Sequence, residues 1–172
     1  EYRFQEYQNL LAIEKTKIIK DFGALCYKET GNLSSVSESL RNQIATLFQQ
    51  EQYGLVIEKS LALINAGQAT ALDFNTIGNS YLLTKQYGKA TKYLKEGEKL
   101  DDTELLIKLN LAHAYLLNDN YSKAKSIYKK YQSQNVTDSI NWVEKIKLDF
   151  QAFQKAGIKS DDFDRILKII NR

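Results

Sequence analysis

The feature that most constrains this chain is a pattern that returns after 34 residues with no insertion or deletion. The stretch from Gly78 to Leu83 returns as Ala112 to Leu117, and the next turn and helix repeat in the same phase, with Tyr87 and Ala90 returning as Tyr121 and Ala124. This period, with small residues and tyrosines at fixed phases, is typical of a solenoid whose unit is a pair of helices. Stacked helix pairs present an extended surface to another chain, so the repeat favours binding over chemistry.

The repeated residues resemble the tetratricopeptide repeat. The best copy, 71–104, has Phe74 at the first aromatic position, Ile77-Gly78 at the Leu-Gly pair and Tyr81 at the Tyr position, followed in phase by Tyr87, Ala90, Leu94 and Gly97. The next copy, 105–138, keeps Leu111-Ala112, Tyr115, Tyr121, Ala124 and Tyr128. Both copies depart from the family where it has its closing Pro, because Asp102 and Val136 stand there. A degenerate copy over 37–70 keeps only the apolar phases and Tyr53.

The resemblance implies an all-α fold, a right-handed superhelical solenoid of antiparallel helix pairs with N- and C-terminal capping helices. We expect one domain, 1–172, divided into an N-terminal helix or cap (1–36), a degenerate repeat (37–70), two repeats (71–104 and 105–138) and a C-terminal helical cap (139–172). The absence of Pro agrees with this reading, because no helix need be interrupted. The predicted helices span 2–29, 35–50, 55–66, 70–84, 87–100, 103–118, 121–134, 139–156 and 161–171, with a predicted turn at 51–54. Ser35 and Glu38 form a predicted capping box at the start of the second helix.

In this family the first helices of successive units line a concave groove. The resemblance therefore implies a peptide- or partner-binding site at Asn75, Asn79, Leu82, Leu109, Asn110, His113 and Leu116. An Asn side chain carries two donors and an acceptor, so it can hold a peptide bond by both of its groups. The alternative is that these asparagines hydrogen-bond their own neighbours. The lysine, asparagine and arginine clamp with which some members bind acidic tails is not expected, because Arg41 alone agrees when that pattern starts at Ser37.

The sequence offers no constellation for catalysis, and we expect no enzyme, no cofactor, no metal and no small-molecule substrate. His113 is the only histidine and has no Cys or His at ligand spacing. Cys26 is the only cysteine and is interpreted as a packed apolar residue. The glycines form no phosphate-binding loop.

Charge and hydropathy limit the partners further. The formal charge of +3 comes from 24 basic and 21 acidic residues, which does not favour nucleic acid. The lysines from Lys85 to Lys99 are interleaved with acids and are interpreted as a solvated helix face. No apolar run is long enough to span a membrane. The chain begins with Glu1, so a removed signal or anchor is possible and the compartment stays open, with the cytoplasm slightly favoured.

The expected function is a scaffold that holds a protein or peptide in the groove. Two alternatives stay open at this point. The chain is a regulatory or targeting module of a larger multidomain enzyme or sensor, or it forms a homo-oligomer through its aromatic C-terminal end.

Overall fold

The computed structural model describes residues 33–171 and the side chains of 35–171. This part of the chain is all-helical, with one isolated bridge between Asn135 and Asn141 and no strand. The helices are α1 (Leu33–Gln49), α2 (Tyr53–Asn65), α3 (Ala71–Leu83), α4 (Tyr87–Leu100), α5 (Leu105–Leu117), α6 (Tyr121–Lys130), α7 (Trp142–Lys155) and α8 (Asp162–Ile170). The predicted helix over 2–29 and Cys26 lie outside these residues.

The 34-residue period of the sequence is also a period of the backbone. The helices α2, α4 and α6 begin at Tyr53, Tyr87 and Tyr121. The residue two positions before each of these tyrosines has a left-handed backbone: Glu51 (φ 58°), Lys85 (φ 61°) and Asp119 (φ 59°). The next N–H returns to a carbonyl of the preceding helix, as Gln52 to Leu47 at 2.9 Å, Gln86 to Tyr81 at 2.8 Å and Asn120 to Tyr115 at 2.8 Å. A left-handed residue with this bond ends a helix, so all three turns are built alike.

Small side chains let neighbouring helices approach closely. A Cβ at Gly78 would lie 2.4 Å from Cγ of Leu94, and Ala90, Ala112 and Ala124 are fully buried. Consecutive helices contact one another from α1 to α6, α3 also contacts α5, and α8 contacts α6 and α7. The small residues at these positions therefore allow close packing between helices.

The start of α3 is fixed by a capping box that also ties α1 to it. Thr70 Oγ1 accepts from the Asp73 N–H (3.3 Å), and the Asp73 carboxylate accepts from the Thr70 N–H (2.8 Å). The same carboxylate accepts from Nε and Nη2 of Arg41 on α1, and Nη2 also donates to the Gln68 carbonyl at 2.7 Å. The capping box predicted at Ser35 and Glu38 does not start a helix, since α1 already begins at Leu33.

The segment between α6 and α7 corrects two predicted boundaries. The helix predicted to reach 134 ends at Lys130, and the helix predicted from 139 begins at Trp142. Between them the Thr137 hydroxyl accepts from the N–H groups of Ser139 and Ile140 at 3.3 and 3.1 Å. Such local side-chain bonds offer the backbone an alternative to the helical ladder, which explains the non-helical segment.

The core has two parts. A large cluster runs from α3 to α8, and a smaller one holds Ile44, Val56 and Leu63 between α1 and α2. The C-terminal aromatic side chains belong to the large cluster: Trp142, Phe150, Phe153 and Phe163 are buried, and Trp142 Nε1 donates to the Tyr128 carbonyl at 3.0 Å. The exposed aromatic end that suggested self-association is thus absent, because these rings pack inside the chain itself.

Candidate functional site

The groove predicted from the sequence uses five phases on each of α1, α3 and α5, and burial changes steadily across the three helices. On α1, Glu38, Asn42 and Ala45 are exposed, and Arg41 and Phe48 are half-buried. On α3, Leu72 is exposed, Asn75, Thr76 and Asn79 are half-buried, and Leu82 is buried. On α5, Leu106 is half-buried, and Leu109, Asn110, His113 and Leu116 are buried. Equivalent positions are therefore open on α1 and closed on α5.

The closure on α5 comes from α7. The ring centroid of His113 lies 5.6 Å from that of Phe150 and 5.2 Å from that of Phe153, both on α7. Phe150 in turn stacks on Phe163 of α8 at 4.3 Å. The side chains of α7 thus occupy the space in front of α5 that the sequence assigned to a partner.

A polar network joins α5, α6 and α7 inside this contact. His113 has no exposed surface, its Nε2 lies 3.1 Å from Oδ2 of Asp149, and its Nδ1 lies 2.6 Å from the Tyr128 hydroxyl. Lys145, one helical turn before Asp149, pairs with the other carboxylate oxygen. An ionised Asp149 can only accept, so Nε2 carries the proton and Nδ1 accepts from the tyrosine hydroxyl.

The pKa values in the network agree with this assignment. Burial lowers the pKa of His113 and outweighs the opposing effect of Asp149. Burial acts to raise the pKa of Asp149, but the bonds and charges of His113 and Lys145 bring it below its usual value. Burial raises the pKa of Tyr128, so its hydroxyl stays protonated as the donor. The network therefore holds a neutral imidazole against a carboxylate that Lys145 compensates.

Burial corrects the candidate site at five of its seven residues. Leu82, Leu109, Asn110, His113 and Leu116 were predicted to contact a partner, but their side chains face the interior of the chain. For His113 the physical reason is that Phe150 and Phe153 of α7 lie against its ring, and Asn110 is held by Asn75 of α3. His113, fully enclosed, also has no access to an external substrate.

The sequence analysis missed the two partners of His113. One signal was available: Asp149 stands 34 residues after Tyr115, at a phase where the repeats have Tyr, on a helix whose neighbouring positions are apolar. A lone carboxylate on an apolar face requires a polar partner when it is buried.

Asn75 lies at the boundary between the closed and open parts. Its Oδ1 accepts from Nδ2 of Asn110 at 2.9 Å, across the contact of α3 with α5. These two asparagines therefore hydrogen-bond each other within the chain, which was the alternative to contact with a partner.

The part of the predicted groove that remains accessible is called the open face here: Glu38, Asn42 and Ala45 of α1 with Leu72, Thr76 and Asn79 of α3. The Thr76 hydroxyl donates to the Leu72 carbonyl of its own helix at 3.0 Å. The side-chain amides of Asn42 and Asn79 make no hydrogen bond with any described residue, and Leu72 is 52% exposed. The open face thus offers two free amides, one on each helix, and an exposed apolar side chain.

Arg41 borders the open face but is already engaged. Its guanidinium holds the Asp73 carboxylate at 2.8 Å, and this pairing, with the bonds from Thr70, lowers the pKa of Asp73 against the effect of burial. Arg41, the residue that agrees with the acidic-tail clamp when that pattern starts at Ser37, is therefore satisfied within the chain.

Neither a family model, a curated protein nor a solved structure matches the chain. Among residues 33–171 no group of three or more potential metal ligands comes together. No helix in that range is long and apolar enough to cross a membrane.

Proposed function

We propose that the chain is an array of stacked helix pairs resembling the tetratricopeptide repeat, and that it binds a segment of another protein on the open face. The stacking is supported by the three equivalent turns at 34-residue spacing and by the contact of α3 with α5. Stacked pairs bury a continuous core and leave one helix of each pair to present a common surface.

The observation that carries the proposal is the change in burial across equivalent positions. On α5 the groove position His113 is covered by Phe150 and Asp149 of α7, so a side chain at this phase can be covered by another helix. The same phases on α1 and α3 have no such cover among the described residues, and they expose Leu72 and the amides of Asn42 and Asn79. Free amides beside an exposed leucine suit a peptide, whose backbone needs donors and acceptors and whose side chains need an apolar contact.

Substitutions on the open face should change binding without changing folding, because its side chains contribute little to the core. The double substitution Asn42→Ala with Asn79→Ala removes both free amides and leaves the helical far-UV circular dichroism and the melting temperature close to wild type. A matched control replaces Asn65 and Asn118 by Ala, since both are exposed and lie off the open face.

The test compares quantitative affinity capture by the wild type, the double variant and the control, followed by isothermal titration with a synthetic segment of each captured protein. We expect about tenfold weaker binding from the double variant, because two net hydrogen bonds contribute roughly 1 kcal/mol or slightly less each. A partner held equally well by all three proteins would show that the open face is not its site.

A further inference from the structure

The second helices of two successive units concentrate positive charge on the molecule. Helix α4 carries four lysines and two glutamates, and α6 carries four lysines and no acid, which gives the two helices a formal charge of +6. The whole chain has a charge of only +3, so all other residues together are net acidic by three. The near-balanced composition therefore conceals a strong local asymmetry.

Most of these lysines have no acidic partner among residues 33–171. Among the eight, Lys99 alone forms an ion pair within the described residues, with Glu96 at 2.7 Å. The second acid of α4, Glu98, pairs with Lys108 of α5, also at 2.7 Å. The nearby helix α8 carries two acidic and two basic residues, so it has no net charge that would neutralise the lysines. Its Asp162 pairs with Arg165. Seven lysines on α4 and α6 thus have no carboxylate of the described part of the chain within ion-pair distance.

The arrangement follows the repeat. Lys89 lies over the ring of Tyr81 at 5.6 Å, and its equivalent Lys123 lies over the ring of Tyr115 at 4.4 Å. Lys95 and Lys129 are also equivalent, and both are exposed. We call the exposed members the lysine face: Lys89, Lys92 and Lys95 of α4 with Lys123, Lys129 and Lys130 of α6. None of them belongs to the open face.

We propose that the lysine face is a second interaction surface that binds an acidic segment of a protein. Its positions on α4, from Lys89 to Lys95, span about 9 Å, a length that roughly three extended residues cover. Unpaired ammonium groups at this spacing attract a run of carboxylates and favour its association over that of a neutral segment.

Two other polyanions fit the face less well. A nucleic acid gains affinity from aromatic rings on which bases stack, but the tyrosines here are engaged: Tyr93 stacks on Tyr81 at 5.4 Å, and Tyr121 lies 4.0 Å under the Arg165 guanidinium. A bilayer gains affinity from apolar residues inserted beside the basic ones, and Leu100 is the only large hydrophobic residue of α4 and α6 that is strongly exposed.

The experiment measures binding of a fluorescent peptide of about ten glutamates, long enough to cover the face, by anisotropy at an ionic strength of about 0.15 M. The test variant is Lys92→Gln with Lys95→Gln and Lys129→Gln. The control variant, Lys147→Gln with Lys155→Gln and Lys159→Gln, removes the same charge from exposed lysines outside α4, α6 and α8. An exposed ion pair changes a binding constant by a factor of roughly two. The loss of three such pairs therefore predicts that the test variant binds the peptide about tenfold more weakly. The control variant should lose less than about threefold.

Equal losses in both variants, or no binding of the peptide by the wild type, would overturn the proposal. Parallel titrations use duplex DNA of mixed sequence and vesicles of phosphatidylserine with phosphatidylcholine, and tighter binding of either one than of the peptide also overturns it. The variant Asn42→Ala with Asn79→Ala should bind the acidic peptide like the wild type, so a failure here is distinguishable from a failure of the open face.

Discussion

The close contact between Gly78 of α3 and Leu94 of α4 makes a prediction with an unusual sign. Replacing glycine by alanine inside a helix normally stabilises it by about 0.5–1 kcal/mol, because glycine loses more backbone entropy on folding. We expect Gly78→Ala, in the middle of α3, to destabilise the chain instead. Its new methyl group would lie 2.4 Å from Cγ and 2.6 Å from Cδ2 of Leu94 on α4.

The size of the stability loss follows from the space available to the Leu94 side chain. Carbon atoms pack at about 3.5–4.0 Å, so one of the two helices must shift by about 1 Å. Leu94 is fully buried and cannot swing into solvent. Overpacking of this kind costs roughly 1–3 kcal/mol. After the helix-propensity gain, the net loss is about 1 kcal/mol, or a melting temperature lower by about 2–4 °C for a chain of this size.

The chain supplies its own control at Gly88. This residue lies in the first turn of α4, and a Cβ there meets no atom within 4 Å. Gly88→Ala should therefore stabilise by up to about 1 kcal/mol. Urea unfolding followed by circular dichroism measures both variants, and an unchanged m-value shows that the difference lies in stability.

A double-mutant cycle isolates the clash. In a Leu94→Ala background the obstructing atoms are gone, and Gly78→Ala should become neutral or stabilising. The reasoning is refuted if Gly78→Ala raises the stability of the wild-type chain as Gly88→Ala does, or if its effect is the same with and without Leu94.

Two further predictions concern the polar contacts between helices. The pKa of His113 is lowered in the folded chain, so below about pH 6.5 the unfolded chain binds a proton that the folded chain resists. The free energy of unfolding should therefore fall as pH drops from about 7 to 5, by at most about 1.4 kcal/mol per unit; His113→Gln, which removes the only histidine, should flatten this slope in urea titrations. Replacing Arg41 by Lys keeps the charge but loses the two-pronged contact with Asp73, and should lower the free energy of unfolding by about 1 kcal/mol. Arg41→Ala should cost about 2 kcal/mol, since it leaves the buried carboxylate to Thr70 alone; equal losses in the two variants would contradict the importance of that geometry.

Much of the local structure was predictable. The helices α4 and α5 lie where periodicity and turn residues predicted them, within two residues at each end, since both follow from the repeat. Predictions failed where the structure does not follow the repeat. The capping box predicted at Ser35 lies inside α1. The segment after Lys130 is not helical, and there the Thr137 hydroxyl accepts from the nearby Ile140 N–H. Side-chain to backbone bonds of this kind leave no periodic signal.

In the candidate site, too, some residues have the accessibility expected from the sequence and others do not. Asn79 was predicted to be available and has a free amide, whereas Asn110 bonds Asn75, and His113 is enclosed by Phe150 and Phe153. Nothing in the spacing of α5 distinguishes a face that meets a partner from one that meets the chain's own α7. A polar residue at a groove phase has the same sequence signature in either case.

The sequence by itself determined the helical class, the positions of the turns and the small residues at which helices meet. These depend on contacts within one unit or between adjacent units, which recur at a fixed separation and so are written as a period. Only the tertiary structure decided which surfaces remain accessible. The burial of His113 depends on Asp149, 36 residues away on a helix that lies outside the repeat pattern. The lack of acidic partners for most lysines of α4 and α6 is visible only when the ion pairs of the described residues are located in space. Accessibility and charge balance are properties of the whole packed chain, and a local pattern does not encode them.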